Sequence, residues 1–223
     1  MQDYKRLTII CGHYGSGKTN IAVNMALELC KIRENVAVAD LDIVNPYFRT
    51  KDSEEDFKAN GIKLICSEFA NSNLDLPSLP ANLYTITDDK DTSFILDIGG
   101  DDRGAFALGR LSPAIIEEND YGMYYVINKY RPLTPDAESA YEIMLEIEAA
   151  CGIKFTGILN NSNLGSQTTA EDVLDSLEFA DKLSEISSLP VKATCIEKRL
   201  EPELKGKILN LFSMTLQNKI IDG

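Results

Sequence analysis

Short, mainly apolar runs rich in β-formers alternate with longer amphipathic stretches from one end of the chain to the other. Residues 7–11, 36–39, 62–65, 94–96, 123–127, 155–159 and 191–195 have the length and composition of strands. Most are apolar at consecutive positions, so both faces of each strand are covered. That is the pattern of a parallel sheet held between two helical layers by right-handed crossovers. The amphipathic stretches predict helices over residues 18–31, 135–150, 169–186 and 202 to about 219. Pro135 and Pro202 then fall at first-turn positions, where a missing N–H costs nothing. Residues 67–80, with Pro77 and Pro80, read as a surface connection in the third crossover. No linker, repeat or low-complexity tract divides the pattern, so residues 1–223 are expected to form one α/β domain.

Charge narrows the partners. With 22 basic and 35 acidic residues the net charge is −13, which argues against a broad nucleic-acid face, because phosphate binding needs clustered Lys and Arg. No apolar run approaches the ~18–20 residues of a bilayer span. The start, Met1 to Arg6, leads straight into a strand-like segment instead of a signal peptide, so a cytoplasmic protein away from the membrane is expected. Cys11, Cys30, Cys66, Cys151 and Cys195 are widely spaced and contain no C-x-x-C pair, which is the distribution of buried thiols.

The chemistry begins directly after the first predicted strand, at Gly12-His13-Tyr14-Gly15-Ser16-Gly17-Lys18-Thr19, followed by Asn20. A G-x-x-x-x-G-K-T run between a strand and a helix turns backbone N–H groups inward as an anion nest, and the helix N-terminus adds partial positive charge. Lys18 supplies a point charge and Thr19 a hydroxyl for Mg²⁺. His13 is the only histidine and reads as a neutral spacer in the loop. The second strand ends in Asp40-Leu41-Asp42, followed by Asn45-Pro46-Tyr47-Phe48-Arg49. In an open parallel sheet ligands lie beyond the carboxyl ends of the strands, so Asp40 is placed to hold a water on Mg²⁺ and Asp42 to orient the attacking water. The fourth strand ends in Asp97-Ile98-Gly99-Gly100. Asp97 would reach the metal held by Thr19, and the Gly100 N–H would sense the γ-phosphate. Arg103 and Arg110 follow as candidates for phosphate or a partner carboxylate.

Two strand ends bear on the base. Asn128-Lys129-Tyr130-Arg131 begins like a guanine-reading N-K-x-D, but an arginine offers no acceptor for the guanine N1–H and N2–H. Asn160-Asn161-Ser162-Asn163 carries amides that both donate and accept, as an adenine edge requires, so ATP is expected over GTP.

Together these motifs resemble the MinD/ParA-type P-loop ATPases, a deviant-Walker branch that also holds ArsA-like pumps and the cobyrinate and dethiobiotin synthetases. The resemblance runs over most of the chain. It implies a three-layer P-loop NTPase fold with a mainly parallel sheet of about seven strands. By resemblance Gly15, Gly17, Lys18 and Thr19 bind phosphate and metal, Asp42 positions water, Asp97 supports Mg²⁺, Asn160 reads adenine, and Asn128 joins the nucleotide-binding residues at its strand end. The family loop is K-G-G-x-G-K-T, whose early lysine reaches a partner's nucleotide in a homodimer. Here His13 stands at that lysine and Tyr14 at the next glycine. The implied function is an ATP- and Mg²⁺-dependent switch for a protein partner, with activation of a small carboxylate as the alternative. A third reading is membrane-surface recruitment through residues 204–212, which have apolar positions at helical spacing and two lysines.

Overall fold

The computed structural model describes residues 4–41, 53–66, 81–99 and 102–216. Among them, β1 (Leu7–Cys11), β2 (Val36–Leu41), β3 (Lys63–Cys66), β4 (Ser93–Ile98), β5 (Tyr121–Ile127), β6 (Gly157–Asn160), β7 (Val191–Glu197) and β8 (Leu211–Met214) form one sheet. Their order is β3-β2-β4-β1-β5-β6-β7-β8, and every neighbouring pair is parallel. The helices are α1 (Lys18–Leu29), α2 (Glu54–Ala59), α3 (Thr85–Asp88), α4 (Asp102–Glu118), α5 (Ala137–Cys151), α6 (Ala170–Ser187) and α7 (Glu201–Leu204).

Side-chain alternation along the strands builds the three layers. Leu7 and Ile9 of β1, Leu96 and Ile98 of β4, and Met123 and Tyr125 of β5 face a core shared with α4, α5 and α6. Ile10, Ile95, Tyr124 and Val126, one residue out of step, face a second core with Ile21, Met25 and Leu29 of α1 and Phe57 of α2. Most strand positions are apolar because most of these residues meet one helical layer or the other.

Local signals start the long helices. Asp136 caps α5 by accepting from the Ser139 N–H at 2.8 Å, and Gly152 at φ 73° ends it. Thr169 and Asp172 form a reciprocal capping box at the start of α6. Pro135 therefore precedes the α5 cap instead of lying in its first turn, whereas Pro202 does sit in the first turn of α7.

Two expectations are corrected. The sheet has eight strands, not about seven, and the helix predicted from residue 202 stops at Leu204. Gly206 at φ 85° turns the chain, and β8 then pairs with β7. The helical spacing was real but is satisfied by a turn, since Leu204, Ile208 and Leu211 all pack against Val173 and Leu200. Phe212 and Met214 of β8 are buried in the core beside α1. The amphipathic helix on which membrane-surface recruitment rested is not formed, and among the described residues no helix is long and apolar enough to cross a membrane. The 17-residue α4, by contrast, is absent from the expected elements because Gly104, Gly109 and Pro113 interrupt its pattern. Gly104 has a local reason, since a Cβ there would lie 2.8 Å from the Gly99 nitrogen, and the close approach docks the start of α4 on the end of β4.

Candidate functional site

The carboxyl ends of β1 and β4 lie side by side, with α1 on one face of the sheet and α4 on the other. This divergence opens a crevice at the place where open α/β sheets bind ligands. The chain leaves β1 through Gly12, where a Cβ would meet the Val126 carbonyl oxygen at 2.4 Å. It enters α1 through Gly17 at φ 89°, where a Cβ would strike the Asn161 amide nitrogen at 2.2 Å. Between them the Ser16 N–H donates to the His13 carbonyl at 3.1 Å, and His13 Nδ1 lies 2.9 Å from the Tyr14 carbonyl oxygen.

Several features of this loop suit an anion. The α1 N-terminus receives no side-chain cap and has no acidic residue in its first turn, so its N–H groups face the crevice uncompensated. The Ser16 hydroxyl is buried with no hydrogen-bond partner among the described residues. Lys18 is itself only 5% exposed, and its ammonium reaches back along the loop to the His13 carbonyl at 3.3 Å. Gly15, Tyr14 and Asn20 line the same space.

The next shell is acidic. The Thr19 hydroxyl donates to Asp97 Oδ2 at 2.6 Å, and Asp40 lies opposite Asp97 in the β2–β4 register, both buried. The structure thus brings Thr19, Asp40 and Asp97 together beside the loop. Among the described residues no group of three or more His, Cys, Asp or Glu could cage a metal unaided. One hydroxyl with a carboxylate behind it fits Mg²⁺ better, because that ion takes few protein ligands and completes its octahedron with phosphate and water. The thiols near this chemistry are inert: burial pushes the Cys195 thiol up to about 12 and raises that of Cys11 as well.

From the loop a cleft of about 590 Å³ extends between the loop after β6 and the end of β7, within the range of small-molecule sites. Asn161, Asn163 and Leu164 form one wall, and Ile196, Glu197 and Leu200 the other. Asn161 is the residue that sequence reasoning missed. Its amide donates to the Ser16 carbonyl at 2.6 Å and so ties the phosphate loop to the cleft wall. Arg131, read only as a residue that disfavours guanine, also lines the cleft.

The two expected base-reading residues do not face it. Asn160 is fully buried, donates to Ser176 Oγ at 2.9 Å and accepts from the Ser162 N–H and hydroxyl. Asn128 is buried too, accepts from the Tyr130 and Asn163 N–H groups and donates to the Asn163 carbonyl. Both brace loops, and the strand-end wall is made by their neighbours. Arg110 stacks on Phe106 of α4, with its Cζ 5.4 Å from the ring centroid, and does not line the cleft. Asp42, the segment Asn45 to Arg49, Gly100, the Arg103 side chain and residues 67–80 lie outside the described residues.

No family model and no curated protein sequence matches the chain. Solved structures do. FtsY from Mycoplasma mycoides aligns with a TM-score of 0.53 at 16% identity, over 86% of this chain and 60% of that one. The cell division protein FtsY from Thermotoga maritima gives 0.54 at 14% identity, over 86% and 62%. Chloroplast FtsY from Physcomitrella patens gives 0.53 at 16%, over 86% and 58%. The chain thus spans about three fifths of the length of these proteins. At such identities the likeness is one of architecture, and it does not single out the MinD/ParA branch. The shared architecture is a three-layer α/β fold, a single parallel sheet flanked by helices, consistent with a P-loop NTPase.

Proposed function

We propose that the chain binds a Mg²⁺-nucleoside triphosphate in this cleft and hydrolyses it as a nucleotide-driven switch for a protein partner, in the manner of the MinD/ParA-type ATPases it resembles. The observation that carries the reading is the junction at the end of β1: an uncapped helix N-terminus and Lys18 on one side, and the 2.6 Å Thr19–Asp97 hydrogen bond on the other. Phosphate and its metal need those two halves within a few ångströms of each other. In this reading the nest N–H groups and Lys18 hold the phosphates, Thr19 ligates Mg²⁺, and Asp97 and Asp40 orient its waters. The metal supplies charge neutralisation at the phosphoryl oxygens. Asp42 is assigned to orienting the attacking water.

ATP is the preferred nucleotide. Guanine requires a carboxylate free to accept from N1–H and N2–H. Among the described residues lining the cleft the acid is Glu197, and its Oε2 already accepts from Arg199 Nε at 2.6 Å. The switch reading draws on Gly104, whose contact with Gly99 couples α4 to the strand end that carries Asp97. A shift at Gly99 on phosphate loss would be passed to α4, which presents exposed Phe106 and Ile116 to a partner.

Calorimetry with MgATP and MgGTP, followed by phosphate-release assays, tests this. Saturable 1:1 binding of MgATP, tighter than MgGTP, with slow turnover is expected. Tighter MgGTP binding would overturn the base assignment, and no binding of either would overturn the whole. Turnover that rises only with an added small carboxylate would replace the switch with an activating enzyme.

A further inference from the structure

Arg131 stands at the carboxyl ends of the strands, and its guanidinium has neither a hydrogen bond nor an ion pair among the described residues. The loop carrying it, between β5 and α5, is pinned on both sides. The Lys129 N–H donates to Ser162 Oγ at 3.0 Å and the Tyr130 N–H to Asn128 Oδ1 at 3.0 Å, and the Tyr130 hydroxyl donates to the Asp172 carbonyl at 2.8 Å. The Arg131 and Thr134 N–H groups close turns onto Asn128 and Arg131 at 3.1 Å each. The other cation of the loop, Lys129, is paired with Asp175 at 2.5 Å. Arg131 alone in this loop has a charged group with neither ion pair nor hydrogen bond among the described residues. That group packs on the phosphate loop: a Cβ on Gly15 would lie 3.2 Å from Arg131 Cζ and 3.3 Å from its Nε.

We infer that Arg131 is a second phosphate cation of the cleft, supplied by the same chain, and that it meets the terminal phosphates of a bound nucleoside triphosphate. The inference rests on the nucleotide-binding reading above. Among the described residues lining the cleft, Lys18 and Arg131 are the cations. The Lys18 ammonium lies at the His13 carbonyl, and in such loops the lysine reaches the β- and γ-phosphates, which marks the stretch from His13 to Gly15 as the terminal-phosphate end. Arg131 stands over Gly15 at that same end. Its planar fork of donors matches two phosphate oxygens at once, a geometry that an ammonium cannot reproduce. The pinned backbone fixes where the side chain starts, so little order has to be imposed when the ligand arrives.

The test compares binding of the Mg²⁺-triphosphate, as a non-hydrolysable analogue, with binding of the diphosphate, using the purine that the wild-type chain prefers. Arg131→Ala should weaken the triphosphate by about 10- to 100-fold, the range for a charge-assisted contact, and the diphosphate several-fold less. Arg131→Lys should recover part of the loss. The thermal midpoint without nucleotide should not move, since the guanidinium makes no hydrogen bond in the protein. Equal weakening of both nucleotides would make Arg131 a brace of the loop and overturn the inference. Unchanged affinity for both, with binding abolished by Lys18→Ala, would overturn it while leaving the cleft assignment intact. A wild-type chain that binds neither nucleotide would remove the underlying reading itself.

Discussion

Arg6 and Arg131 occupy opposite ends of the same parallel sheet and use the same functional group in opposite ways. Arg6, just before β1, is buried, and all five of its N–H donors are taken: Nε and Nη2 bond Glu118, and the other three bonds go to the carbonyls of Asp89, Thr92 and Ile86. Its guanidinium also lies over the Phe94 ring at 5.7 Å, and Lys90 completes the pairing of Glu118 at 2.6 Å. Arg131, at the carboxyl ends, is exposed and has no bonded partner for its side chain among the described residues. Where charges close on one another they lock the fold, as at the amino ends of the strands. Where Lys18, Arg131 and an uncapped helix are left facing a cleft, the partner is expected from outside.

Substitutions at the two ends should therefore separate binding from stability. Lys18→Ala is expected to have the largest effect, lowering nucleotide turnover by about 10³-fold while leaving the thermal midpoint of the free protein in place, as phosphate-release assays and melting curves would show. Arg6→Ala should do the reverse. Removing one partner of a buried pair costs about 3 kcal/mol, which urea denaturation would read, while nucleotide affinity should stay within about twofold. Asn161→Ala comes next: loss of the 2.6 Å bond to the Ser16 carbonyl should loosen the phosphate loop and weaken the triphosphate by about 5- to 10-fold in calorimetry.

The smallest effect is one of pH. The Arg6 and Lys90 hydrogen bonds hold the Glu118 carboxyl below its usual range. A carboxylate with a lowered folded-state pKa contributes stability that is complete above the ordinary glutamate range and is lost as pH falls through that range toward the folded value. Denaturation midpoints of the wild-type chain should fall in that acidic window more steeply than those of Glu118→Gln.

Much of the site could be read in the sequence because its signals are local. The loop from Gly12 to Thr19 needs only its neighbouring strand and helix to be recognised, and Asp97 follows an apolar run by the rule for strand ends. What could not be read depends on one-residue differences in facing. At the end of β6, Asn160 turns toward Ser176 of α6 and Asn161 toward the phosphate loop, and nothing in Asn-Asn-Ser-Asn tells which amide faces which. The β6–β7 register also shifts between Ile158 and Leu159, so counting alternation back from the strand interior fails there. At the C-terminal end, Leu204, Ile208 and Leu211 cluster as a helix would place them, and only Gly206 hints at the turn that frees β8. The role of Arg131 was hidden for a different reason. The loop that aims it is held by contacts to residues 162 and 172, far along the chain.

Hydrogen–deuterium exchange of the wild-type chain, with and without a non-hydrolysable MgATP analogue, tests the central claim most directly. The account predicts nucleotide-dependent protection of the phosphate loop at residues 12–19 and of the cleft wall at residues 161–168. The Arg6–Glu118 end should keep the same exchange rates in both states. Protection absent from the loop and the wall, or concentrated at the Arg6 end, would contradict it.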